Sequence, residues 1–451
     1  MGEKHNRMSL DNSANIYAAA RNRKWANLFR LSVTLSEPVD GPLLQSALNA
    51  TVPRFPSMAA RLCKGTHWYY IEKIEQAPAI EPDSDYPLKY MSFTQICKCA
   101  FRVLYAGNRF SVEFFHAITD GSGAMIFIKT LTAEYLTQKY GITIPNTDGV
   151  LCRMETPREE ELEDSHLKYA NGKGRRLKEI SSYHLSGTKE KDGFIHNTVV
   201  TMSAEEALAS AKSHNVSLTE FLTGIMIAAV LEIQSKKIPK RKKQEIVRVM
   251  VPINMRKLFD SKSLRNFTFY ALPGVDPKMG EYSLHEVINS VHHQMRLCRT
   301  PQNVSAQISA NVHAGKMFMA RIMPLLMKDI ALRAAFRFWG ESTSCLSLSN
   351  LGVVQIPEEM KPYVTCFDFM LGVRARAPYN CGIVSYGDNL HINFSRSIVE
   401  PILENHFLEL LHQQGLDFKV ESNERQSVWY ALPGFEGCTL KYAVRKNMNG
   451  I

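Results

Sequence analysis

The segment from Arg109 to Gly141 constrains the fold most, because the sequence changes its period there without a proline to break the chain. Before His116, Phe110, Val112 and Phe114 alternate with Ser111, Glu113 and Phe115, the period of two expected of a strand, and His116 continues the first face. After it, Gly121-Ser122-Gly123 stops the strand, and Met125, Ile128, Leu131 and Tyr135 recur at helical spacing until Gly141. His116, Asp120 and Gly121 therefore stand on a tight turn from strand to helix. An imidazole there, with an ordinary pKa of about 6.5, suits removal of a proton from a hydroxyl or amine. Gly121 is expected to supply a positive φ and let a substrate approach the backbone. Asp120 is placed to orient the turn or the ring. The same residues also read as a structural histidine beside a helix-capping aspartate.

The pattern His116-x-x-x-Asp120-Gly121 resembles the HxxxDG signature of the CoA-dependent acyltransferase superfamily. That superfamily includes chloramphenicol acetyltransferase, the plant BAHD enzymes, alcohol acetyltransferases and peptide-synthetase condensation domains. The resemblance implies an α/β (α+β) fold of two chloramphenicol acetyltransferase-like lobes, each a mixed sheet packed with helices, with an active-site tunnel between them. It also implies that His116 is the general base and that Asp120 is mainly structural, holding the loop through an ion pair. The co-substrate implied is an acyl-CoA or acyl-carrier-protein thioester, with no bound cofactor and no metal.

At 451 residues the chain is long for one hydrophobic core, so two lobes are expected, at residues 1–175 and 176–451. A hydrophobic content of 45% with 22% charged residues fits a globular protein. The nine cysteines are odd in number and scattered from Cys63 to Cys438, which favours free thiols in a reducing cytosol and a cytoplasmic location. Cys97-x-Cys99 reads as part of an alternating strand and lacks the second pair of a zinc site. The N-terminus leads into no apolar stretch, so no secretory signal is expected. The apolar run Phe221 to Leu231 is too short to span a bilayer and reads as a buried helix. A formal charge of +10 attracts anionic partners such as CoA, nucleic acid or acidic lipid. Its densest run, Lys236 to Lys243, reads as a solvated loop without the interleaved aromatics of a nucleic-acid site.

Along the chain, a strand is expected near Leu28 to Leu35, then a helix capped by Asp40 with Pro42 in its first turn, then a hairpin over Arg61 to Glu72. Residues 153–191 read as a charged crossover between the lobes. Beyond it come a strand over Thr198 to Met202 and two helices begun by the capping boxes at Ser203 and Ser217. Arg248 to Arg256 reads as a strand leaving through Pro252, followed by Leu264-Arg265-Asn266-Phe267. This is similar to a family segment in which an arginine and a downstream Gly-Asn recur, with Arg265 in place of the glycine. His292 and His293 point about a hundred degrees apart on a helix and read as surface residues rather than paired ligands. Residues 428–451 have no assignment.

Cys345 to Gly352 alternates apolar and small polar side chains, a strand with Ser347 and Ser349 on one face. The resemblance puts this strand beside His116, which makes Ser349 and Asn350 candidate donors to a developing oxyanion. A hydrogen-bonded strand end without a catalytic part is the alternative. Asp368-Phe369-Met370-Leu371-Gly372 is a degenerate match to the BAHD DFGWG motif, whose structural aspartate pairs with an arginine; by position that partner is Arg256. Phe115 stands where condensation domains and wax-ester synthases usually carry a second histidine. The expectation is an alcohol acetyltransferase-like O-acyltransferase acting on a small hydroxylated acceptor. A condensation-type, amide-forming enzyme and a non-catalytic scaffold of the same fold are the alternatives.

Overall fold

The computed structural model describes residues 6–11, 14–22, 26–170, 174, 180–316, 322–424 and 443–444. Its first strands are β1 (Arg7–Ser9), β2 (Leu28–Leu35), β3 (Ala60–Lys64), β4 (Tyr69–Lys73), β5 (Glu81–Pro82), β6 (Phe101–Ala106) and β7 (Arg109–Phe115). There follow β8 (His196–Ser203), β9 (Val247–Asn254), β10 (Thr268–Ala271), β11 (Gly274–Val275), β12 (Leu346–Val353) and β13 (Val364–Leu371). The chain ends with β14 (Tyr379–Tyr386), β15 (Asn389–Arg396), β16 (Phe418–Ser422) and β17 (Ala443–Val444).

These strands build two α/β lobes. The first has a five-stranded sheet, β13-β2-β7-β6-β5, beside a three-stranded sheet, β1-β4-β3. The second has a nine-stranded mixed sheet in the order β10-β9-β12-β14-β15-β8-β16-β17, with β11 also on β9. Each lobe closes its own apolar core. Late in the chain, β13 returns to the first lobe and pairs antiparallel with β2, Phe369 opposite Leu31 and Asp368 opposite Ser32. One face of this sheet is aromatic, with Phe29, Phe110, Phe114 and Phe369. The other carries a buried polar layer, in which Arg30 holds both Asp83, at 2.9 Å, and Glu113, at 2.7 Å. That layer faces the second lobe across a cavity of about 60 Å³ lined from both sides, by Arg30 and Asp368 and by Asn197 and Asn393.

The lobes touch most closely where β13 meets β14. A Cβ added to Gly382 would fall 2.2 Å from the Phe369 carbonyl oxygen, so only glycine lets the two backbones meet. Gly382→Ala is expected to cost about 1–3 kcal/mol by overpacking this joint, read as a lower denaturant midpoint.

Local signals set the helix starts. Asp40 accepts from the Leu43 N–H, 2.9 Å, to begin the helix Gly41–Thr51, and its own N–H donates to the Tyr135 hydroxyl, 2.9 Å. Ser203 caps Ala204–Ser213, and Ser217 with Glu220 completes the capping box of Leu218–Lys237. This last helix holds the apolar run. It is the one described helix long and apolar enough to cross a membrane, and 67% of its apolar window is packed inside the protein. The basic run lies outside that core, with Arg241 on Glu281 and the Lys237 Nζ on the Ser186 carbonyl, 2.8 Å.

Several expectations change. Cys97 and Cys99 do not lie on a strand: Ser92 and Gln95 form a capping box that starts a helical turn at Phe93–Ile96 and so interrupts the alternation. The charged crossover is not wholly outside the core, because Glu161 is buried in a two-pronged pair with Arg54, at 2.6 and 2.8 Å. A division at 175 and 176 falls outside the described residues, as do residues 428–451 apart from Ala443 and Val444. Cys438 lies there too, and no disulfide forms among the described cysteines.

Candidate active site

His116 follows β7 directly, and its main-chain N–H donates to the Asn27 carbonyl at 2.8 Å. This extends the β2–β7 ladder by one bond beyond Leu28 and Phe115 and fixes the ring at the end of the sheet. Alternation keeps it on the aromatic face. Phe29 meets it edge-on, with centroids 5.0 Å apart, and Tyr17 stacks on it at 4.5 Å and 18° between planes. Tyr17 comes from the helix Ala14–Ala20, whose end is tied to Asn27 by an amide bond to the Tyr17 carbonyl, 2.8 Å.

The imidazole Nδ1 faces Asn266 Oδ1 at 3.2 Å, and the ring also meets its own main-chain carbonyl. Both are acceptors, so the ring proton belongs on Nδ1 and the lone pair on Nε2. Burial lowers the imidazole pKa below its ordinary value, against the opposing pull of its own carbonyl, Asp120 and Asn266. The ring is neutral at neutral pH. Burial, with the Asp120 charge as a second cause, pushes the Tyr17 phenol up to about 12, so Tyr17 keeps its proton.

Asp120 is 1% exposed, and all its bonds run away from His116. One oxygen accepts from the Ser122 and Gly123 N–H groups, each 3.1 Å, which caps the helix Gly121–Tyr140. The other accepts from Arg256 Nη1 and the Phe267 N–H, both 2.9 Å. Arg256 also donates to the carbonyls of Ser263, 2.7 Å, and Arg265. Burial alone would raise the Asp120 carboxyl; Arg256 and the main-chain donors outweigh it and hold it below the usual carboxylate value. Arg265 in turn pairs with Asp11, 2.8 Å, which accepts the Asn266 N–H at 3.1 Å. The turn from the first lobe is thus stitched to the segment 256–267 of the second.

Gly121 departs from expectation. It is the first residue of its helix and has no positive φ; what it supplies is space, since a Cβ there would lie 2.6 Å from Leu351 Cδ2. That contact brings β12 against the His116 turn. Ser349, half-buried, lies across from Gly382 on β14. Asn350 uses its amide twice, donating to Thr219 Oγ1 at 3.1 Å and accepting from the Gly352 N–H at 2.8 Å.

Asp368 does not pair with Arg256, which belongs to Asp120. Phe369 shares the aromatic face with Phe29, so the period of two turns Asp368 to the opposite face, where its Oδ1 lies 3.6 Å from His391 Nδ1. His116, Asp120, Gly121 and Arg256 come together, and Asp368 stands apart. The side chains that sequence reasoning missed are Asn266 and Tyr17. Asn266 stood in the segment noted for its family pattern, and that pattern was the signal that could have found it. No local signal marks Tyr17, because its partner is about a hundred residues away.

No protein-family model matches the chain, and no curated protein matches it. Solved structures do. A trichothecene 15-O-acetyltransferase from Fusarium sporotrichioides is 11% identical with a TM-score of 0.58, over 92% of this chain and 96% of that one. The starter condensation domain of rhizomide synthetase, in complex with C8-CoA and Leu-SNAC, is 11% identical with a TM-score of 0.57, over 91% and 94%. A wax ester synthase/diacylglycerol acyltransferase from Marinobacter aquaeolei is 12% identical with a TM-score of 0.54, over 90% and 100%. Over nearly its whole length, this chain has the two-lobed fold of the CoA-dependent acyltransferases and condensation domains.

Proposed function

We propose that the protein transfers an acyl group from a CoA or carrier-protein thioester to the hydroxyl of a small acceptor, with His116 as general base. The observation that carries this reading is the ring's setting: Nδ1 is turned to Asn266 Oδ1, which leaves the Nε2 lone pair for the acceptor. Nε2 takes the hydroxyl proton, and the oxygen attacks the thioester carbonyl. The tetrahedral intermediate then collapses, its C–S bond breaks, and the thiolate takes the proton back from His116. Charge on the carbonyl oxygen needs a donor as it develops, and Ser349 is the first candidate. Asn350 is the second, with one amide hydrogen besides the one given to Thr219. Asp120 and Arg256 hold the turn rather than touch the substrate.

The test is thiol release from acetyl-CoA with panels of alcohols and amines. Ester formation with alcohols supports the proposal; exclusive amide formation would move the protein to the condensation class. The pH profile gives a second check. A base whose pKa burial has lowered stays deprotonated to lower pH, so kcat/KM should hold through pH 6.5 and fall only below it. An acid limb centred above 6.5 would argue against His116 as the titrating base.

A further inference from the structure

Five arginines are buried in the described residues: Arg30, Arg54, Arg265, Arg374 and Arg396. Four of them pair directly with carboxylates, Arg30 with Asp83 and Glu113, Arg54 with Glu161, Arg265 with Asp11, and Arg396 with Glu404 and Glu424. Arg374 does not. It is 6% exposed, its Nη2 donates to Ser344 Oγ at 2.9 Å, and its Nε is buried without an acceptor. Glu341 is the carboxylate whose charge reaches it, without an ion pair forming. Desolvation therefore dominates and depresses the Arg374 pKa, whereas pairing with carboxylates raises those of Arg30 and Arg396 against the same penalty. A guanidinium taken out of water without a carboxylate is a standing cost.

The surroundings say what would offset it. Arg374 sits in the loop from Gly372 to Pro378, beside a cavity of about 360 Å³ lined by His184, Ser186, Lys189, Arg376 and Ser397. That volume suits a small molecule. The ring nitrogens of His184 are both shielded from solvent and lack a hydrogen-bond partner, although the backbones of Ser342 and Arg376 lie against the ring. Among the residues lining the cavity there are cations and hydroxyls, and no carboxylate. The loop also belongs to the His116 end of the first sheet. Gly372 N–H donates to the Leu28 carbonyl, 3.0 Å, and the adjacent Asn27 carbonyl takes the His116 N–H. Arg374 further acts on the Tyr17 hydroxyl, on the ring that stacks against His116.

We infer that this pocket reads an anionic group on the acceptor, so that the substrates are small hydroxylated carboxylates or phosphates whose charge docks on Arg374 with His184 and Arg376 at its side. The inference rests on the acyl-transfer reading for its catalytic consequence and on the pocket alone for binding. Arginine suits the task because its planar fork meets a carboxylate or phosphate with two parallel bonds.

The experiment uses the full chain, acetyl-CoA, and a length series of hydroxycarboxylates, each beside its methyl ester, with hydroxyalkyl phosphates as the second arm. Wild type should prefer the charged acceptor over its ester by about 10- to 100-fold in kcat/KM, the scale of hydrogen bonds to a charged group. In Arg374→Gln and in His184→Gln the ratio should fall towards one. The two arms show whether carboxylate or phosphate fits. Binding is read separately by thermal midpoint, which should rise with the charged acceptor, not with the ester, and only when Arg374 is present. Arg374→Met should be as stable as wild type or more so without ligand, since it removes an uncompensated charge; a structural arginine would give the reverse. Turnover of neutral alcohols with no preference for charge and no selective midpoint shift overturns the anion pocket and leaves acyl transfer standing. A selective midpoint shift without turnover of any acceptor does the opposite, and neither signal overturns both.

Discussion

His116→Ala is expected to lower the rate of acyl transfer by about 10²- to 10⁴-fold, the usual contribution of a positioned general base. The fold should survive, because the ring is half-buried and its polar partner is the single side chain Asn266. Stacking on Tyr17 and edge contact with Phe29 are lost, which costs about 1 kcal/mol in packing. The measurement is thiol release from acetyl-CoA in the presence of an alcohol, with the thermal midpoint as the control. Equal rates for wild type and variant, in two well-folded proteins, would remove His116 from the chemistry. Asn266→Ala provides an internal comparison. It leaves the ring in place but removes the acceptor that holds the Nδ1 proton, so it should reduce kcat by less than His116→Ala and leave KM largely unchanged.

Much of this arrangement was readable along the chain because its causes are local. The switch from period two to helical spacing around His116, and the helix starts at Asp40, Ser203 and Ser217, depend on residues within four positions of one another. What could not be read are the contacts that make the turn into a site. Asp120 meets Arg256 across 136 positions and His116 meets Asn266 across 150, and nothing in either local pattern selects the partner. The return of β13 to the sheet of β2 is hidden in the same way, since strand pairing at that separation leaves no signature in composition. Asp368 is a different case. The alternation of Phe367, Phe369 and Leu371 already placed it on the face opposite the aromatic one, and the motif match pulled it towards Arg256 against that phase. Gly121 teaches a related lesson: a glycine beside a site can be required for the room it leaves another chain segment, here Leu351, with no demand on φ.

Asp120→Ala should be the more destructive change for the fold, at about 3–5 kcal/mol, the scale for removing one partner of a buried ion pair. Three losses coincide: the helix cap on Ser122 and Gly123, the acceptor for the Phe267 N–H, and the counter-charge of Arg256, whose side chain is 12% exposed. The pH dependence has a definite sign. The folded carboxyl titrates below its ordinary value, so the stabilisation is present above the unfolded pKa and is lost as pH falls through the folded one. Wild type should therefore lose stability in acid more steeply than Asp120→Asn, which keeps the shape and lacks the titration. A double-mutant cycle with Arg256→Met measures the pair itself, and Asp120→Asn/Arg256→Met should recover part of the stability lost in Asp120→Asn, because no buried charge is then left alone. The cycle also separates support from proton relay. Neither Asp120 oxygen bonds His116, so activity should follow folded fraction and the geometry of the turn. If Asp120→Asn stayed as stable as wild type yet lost as much rate as His116→Ala, the carboxylate would have to act on the imidazole directly, and the assignment of Asp120 as the clamp between the two lobes would fail.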